Sequence, residues 1–256
     1  MNHNFSIVIV CKNEAEVLPH LLRSAQTVTD DIVVYDNGST DDTVSIAKAY
    51  GARVFEGSWE GYGKTKRKAA LLAKYQWVLS LDADEILDDT LQNTLRTFQF
   101  KDDKTVYRIP FKSFLGDKYL RWGEWGGDSH IRLFNRALVQ WDGADVHEKL
   151  LLPDDVKVET LKGSVLHRTM KDTVEYSHKM VHYALLNAEK YFEKGKRSSW
   201  VKRYLAPKFT FVKYYFFQAG FLDGWEGLLC ARMTAFYTAL KYARLRELEV
   251  LAKKKK

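Results

Sequence analysis

A chain of 256 residues, 46% hydrophobic and 29% charged, has the size and composition of one large globular domain, or of one domain with an appendage. Its two cysteines exclude a disulfide framework and fit a reducing compartment, and no run reaches the roughly 18 uncharged apolar residues of a membrane-spanning helix. The net charge of +7, concentrated toward Lys253-Lys254-Lys255-Lys256, favours anionic partners; nucleic acid, an anionic membrane and a phosphorylated glycan all satisfy it.

Met1-Asn2-His3-Asn4 lacks the basic and apolar regions of a signal peptide, so cytoplasmic residence is expected. Phe5-Ser6-Ile7-Val8-Ile9-Val10 is a near-continuous apolar run, the pattern of a central parallel strand covered on both faces. Residues 16–27 place Val17, Leu21, Leu22 and Ala25 on one helical face, and Asp31-Ile32-Val33-Val34-Tyr35-Asp36 is a second strand, completing a βαβ unit. Gly38 permits the next turn, after which Ser39 is expected to cap a helix running to Lys48. Ala52-Arg53-Val54-Phe55 is a short third strand. Gly61-Tyr62-Gly63-Lys64 then opens a basic helix with Lys66, Arg67 and Lys68. This alternation predicts a doubly wound, mostly parallel α/β sheet.

The fourth strand, Trp77-Val78-Leu79-Ser80-Leu81, runs straight into Asp82, Asp84 and Glu85. Ligands of open α/β sheets bind where strands end. Asp82 and Asp84, one residue apart, can share a hard divalent cation that leaves positions open for phosphate; as helix caps for the pattern that follows Asp88 they would be unremarked. Glu14 and Asp36 stand at the tips of the first two strands, where a nucleotide would lie, and Asp36 can accept from a base or a ribose. Lys64 and Arg67 lie within reach of a diphosphate or form a solvated basic face; the phosphate-loop spacing is absent.

From about Thr105 the pattern changes to alternating strands (Val106 to Phe111, Ile131 to Phe134) around a glycine-rich loop, Gly123-Glu124-Trp125-Gly126-Gly127. This predicts a mixed extension of the sheet. Beyond Lys171 the pattern is helical, with a break near Gly220-Phe221-Leu222-Asp223-Gly224. Residues 1–170 are therefore expected to form the catalytic domain, with a nucleotide-binding half (1–104) and an acceptor half (105–170), and residues 171–256 a helical appendage.

Residues 6–13, Asp36-Asn37-Gly38-Ser39-Thr40-Asp41 and Ser80-Leu81-Asp82-Ala83-Asp84-Glu85, in this order and spacing, resemble the nucleotide-binding half of inverting family 2 glycosyltransferases of the GT-A fold. Gly61-Tyr62-Gly63, Val146-His147-Glu148 and Gly220 to Gly224 bring the chain nearest to the bacterial lipopolysaccharide core β-1,4-glucosyltransferases. The resemblance implies that Asp36 contacts the uracil of a UDP-sugar, that Asp82 contacts its ribose or sugar, and that Asp84 holds Mg2+ or Mn2+ against the diphosphate. It makes the Gly126-Gly127 turn an acceptor loop, with Trp122 and Trp125 able to stack on sugar or to serve as core residues. Arg67 departs from the family's usual Asn. Asp145, His147 and Glu148 fall where the family carries its base; Glu148 takes the base position, and His167 stands where the fold often supplies a metal-binding imidazole.

Phe209, Phe211, Tyr214 to Phe217, Phe221 and Trp225, interleaved with Lys202, Arg203, Lys208 and Lys213, have the composition of interfacial helices or of a helical lid. The expectation is a peripheral enzyme on the cytoplasmic face of an anionic membrane. It would move a hexose, glucose by resemblance, from UDP to a lipid-anchored saccharide of the lipopolysaccharide inner core, with no nucleic acid partner. Nucleotidyl transfer would require a Gly-rich basic loop after the first strand, which Cys11-Lys12-Asn13-Glu14 does not provide. A non-catalytic membrane- or glycan-binding scaffold is the reading from another class.

Overall fold

The computed structural model describes residues 5–143 and 148–254. β1 (Phe5–Cys11), β2 (Ile32–Asp36), β3 (Arg53–Glu56) and β4 (Trp77–Asp82) alternate with α1 (Leu18–Ala25), α2 (Thr43–Ala49) and α3 (Tyr62–Leu71). β1 pairs in parallel with both β2 and β4, Ile9 lying opposite Val34 and Leu81, and β3 extends the sheet beyond β2. The period of two in these apolar strands supplies two cores. Ile7, Ile9 and Leu79 pack with Leu18, Leu21 and Leu22 of α1 on one face, while Val8, Val33 and Val78 pack with Ala69 and Ala70 of α3 on the other. The sheet is doubly wound, as expected.

The helix predicted to follow Ser39 starts later. Gly38 adopts φ 81°, and the Asp36 carboxylate takes the Gly38 and Ser39 amides at 3.0 and 2.9 Å, which folds Ser39 back over the end of β2. α2 begins only at Thr43.

Past β4 the chain forms β5 (Glu85–Leu87), α4 (Asp89–Arg96), β6 (Thr105–Leu115), β7 (Lys118–Tyr119), β8 (Ser129–Asn135), β9 (Gln140–Trp141), β10 (Leu150–Leu151), β11 (Lys157–Thr160) and β12 (Val165–Met170). The sheet order is β3-β2-β1-β4-β8-β6-β12-β5, with β7 and β11 attached to β6 and with β9 and β10 forming a separate hairpin. β8 runs antiparallel beside β4, Val78 opposite Phe134, which gives the mixed extension.

The chain divides into two compact units, residues 1–111 with 128–167, and residues 112–127 with 168–256. The second contains α5 (Thr173–Glu193), α6 (Trp200–Tyr204), α7 (Ala206–Val212), a π-helical turn over Lys213–Phe217, a 3-10 turn over Gly220–Asp223, and α8 (Gly224–Lys254). Its core gathers Leu115, Leu120, Met170, Tyr176 and Cys230.

Candidate active site

β4 delivers Asp82 to the sheet edge, Ala83 and Asp84 turn the chain, and β5 leaves in a new direction. β12 pairs with β5 so that His167 stands opposite Glu85. That register brings His167 Nε2 to 3.3 Å from Asp84 Oδ2. Burial works against a charge on His167, but Asp84, Glu85 and Asp82 outweigh it and raise its pKa above the ordinary histidine value. α4 is capped by Asp88, whose carboxylate accepts from the Leu91 amide at 2.8 Å, so neither Asp82 nor Asp84 serves as its cap.

Two buried cations order the acids. On α3 the buried positions are Gly63, Thr65, Lys66, Ala69 and Ala70. Lys66 therefore enters with the alanines at i+3 and i+4, while Lys64 and Arg67 face solvent. Lys66 Nζ lies 2.9 Å from Asp82 Oδ1 and 2.8 Å from Glu148 Oε1, and 5.1 Å above the Trp141 ring. Burial opposes its charge; Asp82, Glu148 and Glu85 more than compensate, so its pKa stands above the usual lysine value. Arg132 of β8 pairs with Glu85 and lies 3.3 Å from Asp82 Oδ2.

The carboxylates differ accordingly. Burial would raise Asp82, but Lys66 and Arg132 hold it well below the usual carboxylate range. Glu85 is 1% exposed, and burial pushes it up to about 7 against the opposing Arg132. Its Oε2 accepts the Asp82 amide at 2.9 Å, so Glu85 braces the turn. Glu148 is presented from the β9–β10 hairpin, closed by the Asp142 amide donating to the Lys149 carbonyl at 2.8 Å. Asp145 and His147, the other residues singled out there, lie outside the described residues.

At the β2 tip, Asp36 is buried and spends its carboxylate on its own turn and on the Ser39 hydroxyl. Glu14 sits after β1, its amide donating to Thr43 Oγ1 at 2.8 Å. Trp125 packs against the core of its unit, with Nε1 donating to Tyr176 Oη at 3.4 Å. Gly126 is needed for close approach, because a Cβ there would stand 2.2 Å from the Arg121 carbonyl oxygen; Gly127 adopts φ 73°.

Asp84 and His167 offer one oxygen and one nitrogen donor. Among the described residues no three His, Cys, Asp or Glu side chains group into a cation cage. Two donors suit an ion whose other positions are filled by diphosphate oxygens, the usual habit of Mg2+ and Mn2+. Asn37 Oδ1, Arg132 Nε and Trp141 Nε1 are buried and have no hydrogen-bond partner among the described residues. Burying polar atoms of this kind without partners is costly.

Lys66, Arg132 and Trp141 are the components that sequence reasoning missed. The signal for Lys66 was its place on the alanine face of its helix. For Arg132 it was a lone charge within an apolar strand.

Residues 6–150 match the sequence profile of Glycosyl transferase family 2. An uncharacterized glycosyltransferase of Rickettsia typhi is 29% identical over 256 residues, spanning 96% of this chain and 87% of that protein. The lipopolysaccharide core biosynthesis glycosyltransferase LpsC of Rhizobium meliloti is 28% identical over 247 residues, spanning 94% and 91%. The crystal structure of S. aureus TarS 1–349 in complex with UDP aligns with 99% of this chain and 92% of that one, at 14% identity and a TM-score of 0.47. With more than half its length matched by the family profile, the chain belongs to glycosyltransferase family 2.

Proposed function

We propose that the chain is an inverting hexosyltransferase that moves a sugar, glucose by resemblance, from UDP to a lipid-anchored saccharide of the lipopolysaccharide inner core at the inner face of the cytoplasmic membrane. The observation that carries this reading is the joining of Asp82 and Glu148 through Lys66 beside the Asp84–His167 pair. The name of the Rhizobium relative supports the acceptor.

In this reading Glu148, held in place by its ion pair with Lys66, accepts the proton of the acceptor hydroxyl. That oxygen forms its bond to the anomeric carbon as the bond from that carbon to the diphosphate oxygen breaks on the opposite face. Asp82 orients the donor's ribose or sugar, and Asp36 would contact the uracil by exchanging its Ser39 hydroxyl partner for the base. Asp84 and His167 would hold a divalent ion, which supplies charge compensation for the departing diphosphate. Purified protein with Mn2+ should slowly hydrolyse a UDP-sugar from a panel of UDP-, GDP- and dTDP-sugars, and Asp84→Asn should abolish hydrolysis while UDP affinity falls only partly. Failure of every UDP-sugar to bind or turn over would refute the reading.

The helical region supports the membrane clause. Among the described residues no helix is long and apolar enough to cross a membrane. Trp200, Phe209, Phe217 and Trp225 are 60, 63, 76 and 63% exposed, and the exposed Val201, Leu205, Phe209, Val212 and Phe216 recur at helical spacing. Lys202, Arg203, Lys208 and Lys213 are interleaved with them. The one acid between Trp200 and Trp225 is Asp223, which is buried. Such a surface fits an anionic bilayer interface. Sedimentation with phosphatidylglycerol vesicles should be lost in Phe209→Ser/Phe217→Ser; undiminished binding would sink this clause.

A further inference from the structure

The second unit holds a cleft of about 440 Å3 lined by Arg121, Trp122, Glu124, Gly126, Tyr214 and Gln218. Its volume lies within the roughly 300–1,000 Å3 of small-molecule sites. Asp223, 3% exposed, accepts the backbone amides of Arg121 and Trp122 at 2.9 and 2.8 Å and so sets the loop that presents both side chains. The facing wall is the π-helical turn Lys213–Phe217, followed by Ala219 in the left-handed region at φ 55°. The Gln218 carbonyl accepts the Gly123 amide at 2.9 Å and ties this wall to the loop. π-turns and non-glycine left-handed residues cost stability and concentrate at functional sites.

The lining defines the ligand's chemistry. Trp122 is 46% exposed, so its ring face is available, whereas Trp125 is packed against Tyr176. The Arg121 guanidinium rests over the Tyr119 ring at 5.5 Å, and among the described residues no carboxylate lies within ion-pair distance of it. Glu124 is held by the Thr234 hydroxyl. An indole face takes the C–H face of a sugar ring, and a planar unpaired guanidinium takes a phosphate or carboxylate through two parallel hydrogen bonds.

We propose that this cleft binds the acceptor saccharide through an anionic substituent, with the sugar ring against Trp122 and the anion on Arg121. The assignment rests on the hexosyltransferase reading, and it goes further by placing a charge on the acceptor and by giving the stacking role to Trp122.

The test is calorimetric titration of the full chain with glucose 6-phosphate, glucose and inorganic phosphate, each variant's thermal midpoint being recorded alongside. Glucose 6-phosphate should bind at least tenfold more tightly than glucose or phosphate. Arg121→Gln should erase its advantage over glucose. Trp122→Ala should weaken both sugars, and Trp122→Phe, which keeps a ring, should restore them. Equal affinity for glucose and its phosphate, or an advantage that survives Arg121→Gln, overturns the proposal. Phosphate binding as tightly as the sugar phosphate reduces the site to an anion hole and overturns it too. UDP-sugar hydrolysis by the wild-type chain is scored separately, so failure of the donor reading leaves the sugar-phosphate titration to judge the cleft.

Discussion

Replacing Lys66 by Met removes one charge from the centre of the acid cage while keeping an unbranched side chain only one heavy atom shorter. Lys66 is 5% exposed and its Nζ lies 2.9 Å from Asp82 and 2.8 Å from Glu148. Removing one partner of a buried ion pair costs about 3–5 kcal/mol. Here the stranded carboxylates are 37% and 16% exposed and Arg132 still lies 3.3 Å from Asp82, so solvent and that guanidinium absorb part of the loss. A net destabilisation of about 2–3 kcal/mol is expected, which in a chain of this size lowers the unfolding midpoint by about 4–12 °C. The loss depends on pH. Against the partial desolvation of its site, Asp82 is held below the usual range by Lys66 and Arg132. A carboxyl with a depressed folded pKa contributes stability above its unfolded pKa and loses it as pH falls through the folded value. The gap between wild type and Lys66→Met should therefore be widest above about pH 5 and close in acid. In urea denaturation, Lys66→Met/Glu148→Gln should lose about 1–2 kcal/mol less than the sum of the single changes, because the second change removes the stranded charge. A Lys66→Met chain within about 0.5 kcal/mol of wild type, or strictly additive changes, would refute the cage.

His167→Ala should raise the Mn2+ concentration that half-saturates UDP-sugar hydrolysis by about 10- to 100-fold. Because the His167 pKa is raised, a proton competes for Nε2 as pH falls below its folded value, so the wild-type Mn2+ requirement should rise in acid and that of His167→Ala should not. Glu148→Gln should lower kcat about 10^2- to 10^4-fold with UDP affinity, read by calorimetry, nearly unchanged; retained transfer activity would remove Glu148 from the base position. Gly163→Ala should cost about 2–4 kcal/mol in urea denaturation. Gly163 adopts φ 96°, and a Cβ there would stand 2.2 Å from the Leu91 amide nitrogen.

The parallel half of the sheet was legible because its signal is local: apolar runs of strand length end in turn residues, and Asp82 and Asp84 follow the last of them directly. Lys66 was harder to identify, since four basic residues crowd α3 and only the helical register against Ala69 and Ala70 distinguishes the one that turns inward. The role of Arg132 depends on β8 lying antiparallel to β4, a pairing that no local pattern specifies. Trp125 and Trp122 flank the same loop three residues apart. Only packing against Tyr176, 51 residues away, assigns one to the core and leaves the other in the cleft.

The bond from Lys66 to Glu148 spans 82 residues of chain. A ribosome adding roughly 5–20 residues per second would expose β1 to β4 several seconds before Glu148 emerged. The parallel sheet can nucleate in that interval, but its acid tip is then a cluster of carboxylates facing one buried lysine, without Arg132 or the β9–β10 hairpin. On the proposed reading, a nascent or truncated chain would carry the donor-side acids Asp36, Asp82 and Asp84 while lacking Glu148, the residue proposed to take the acceptor's proton. With Glu148 as the proposed base, transfer would have to await completion of the antiparallel half.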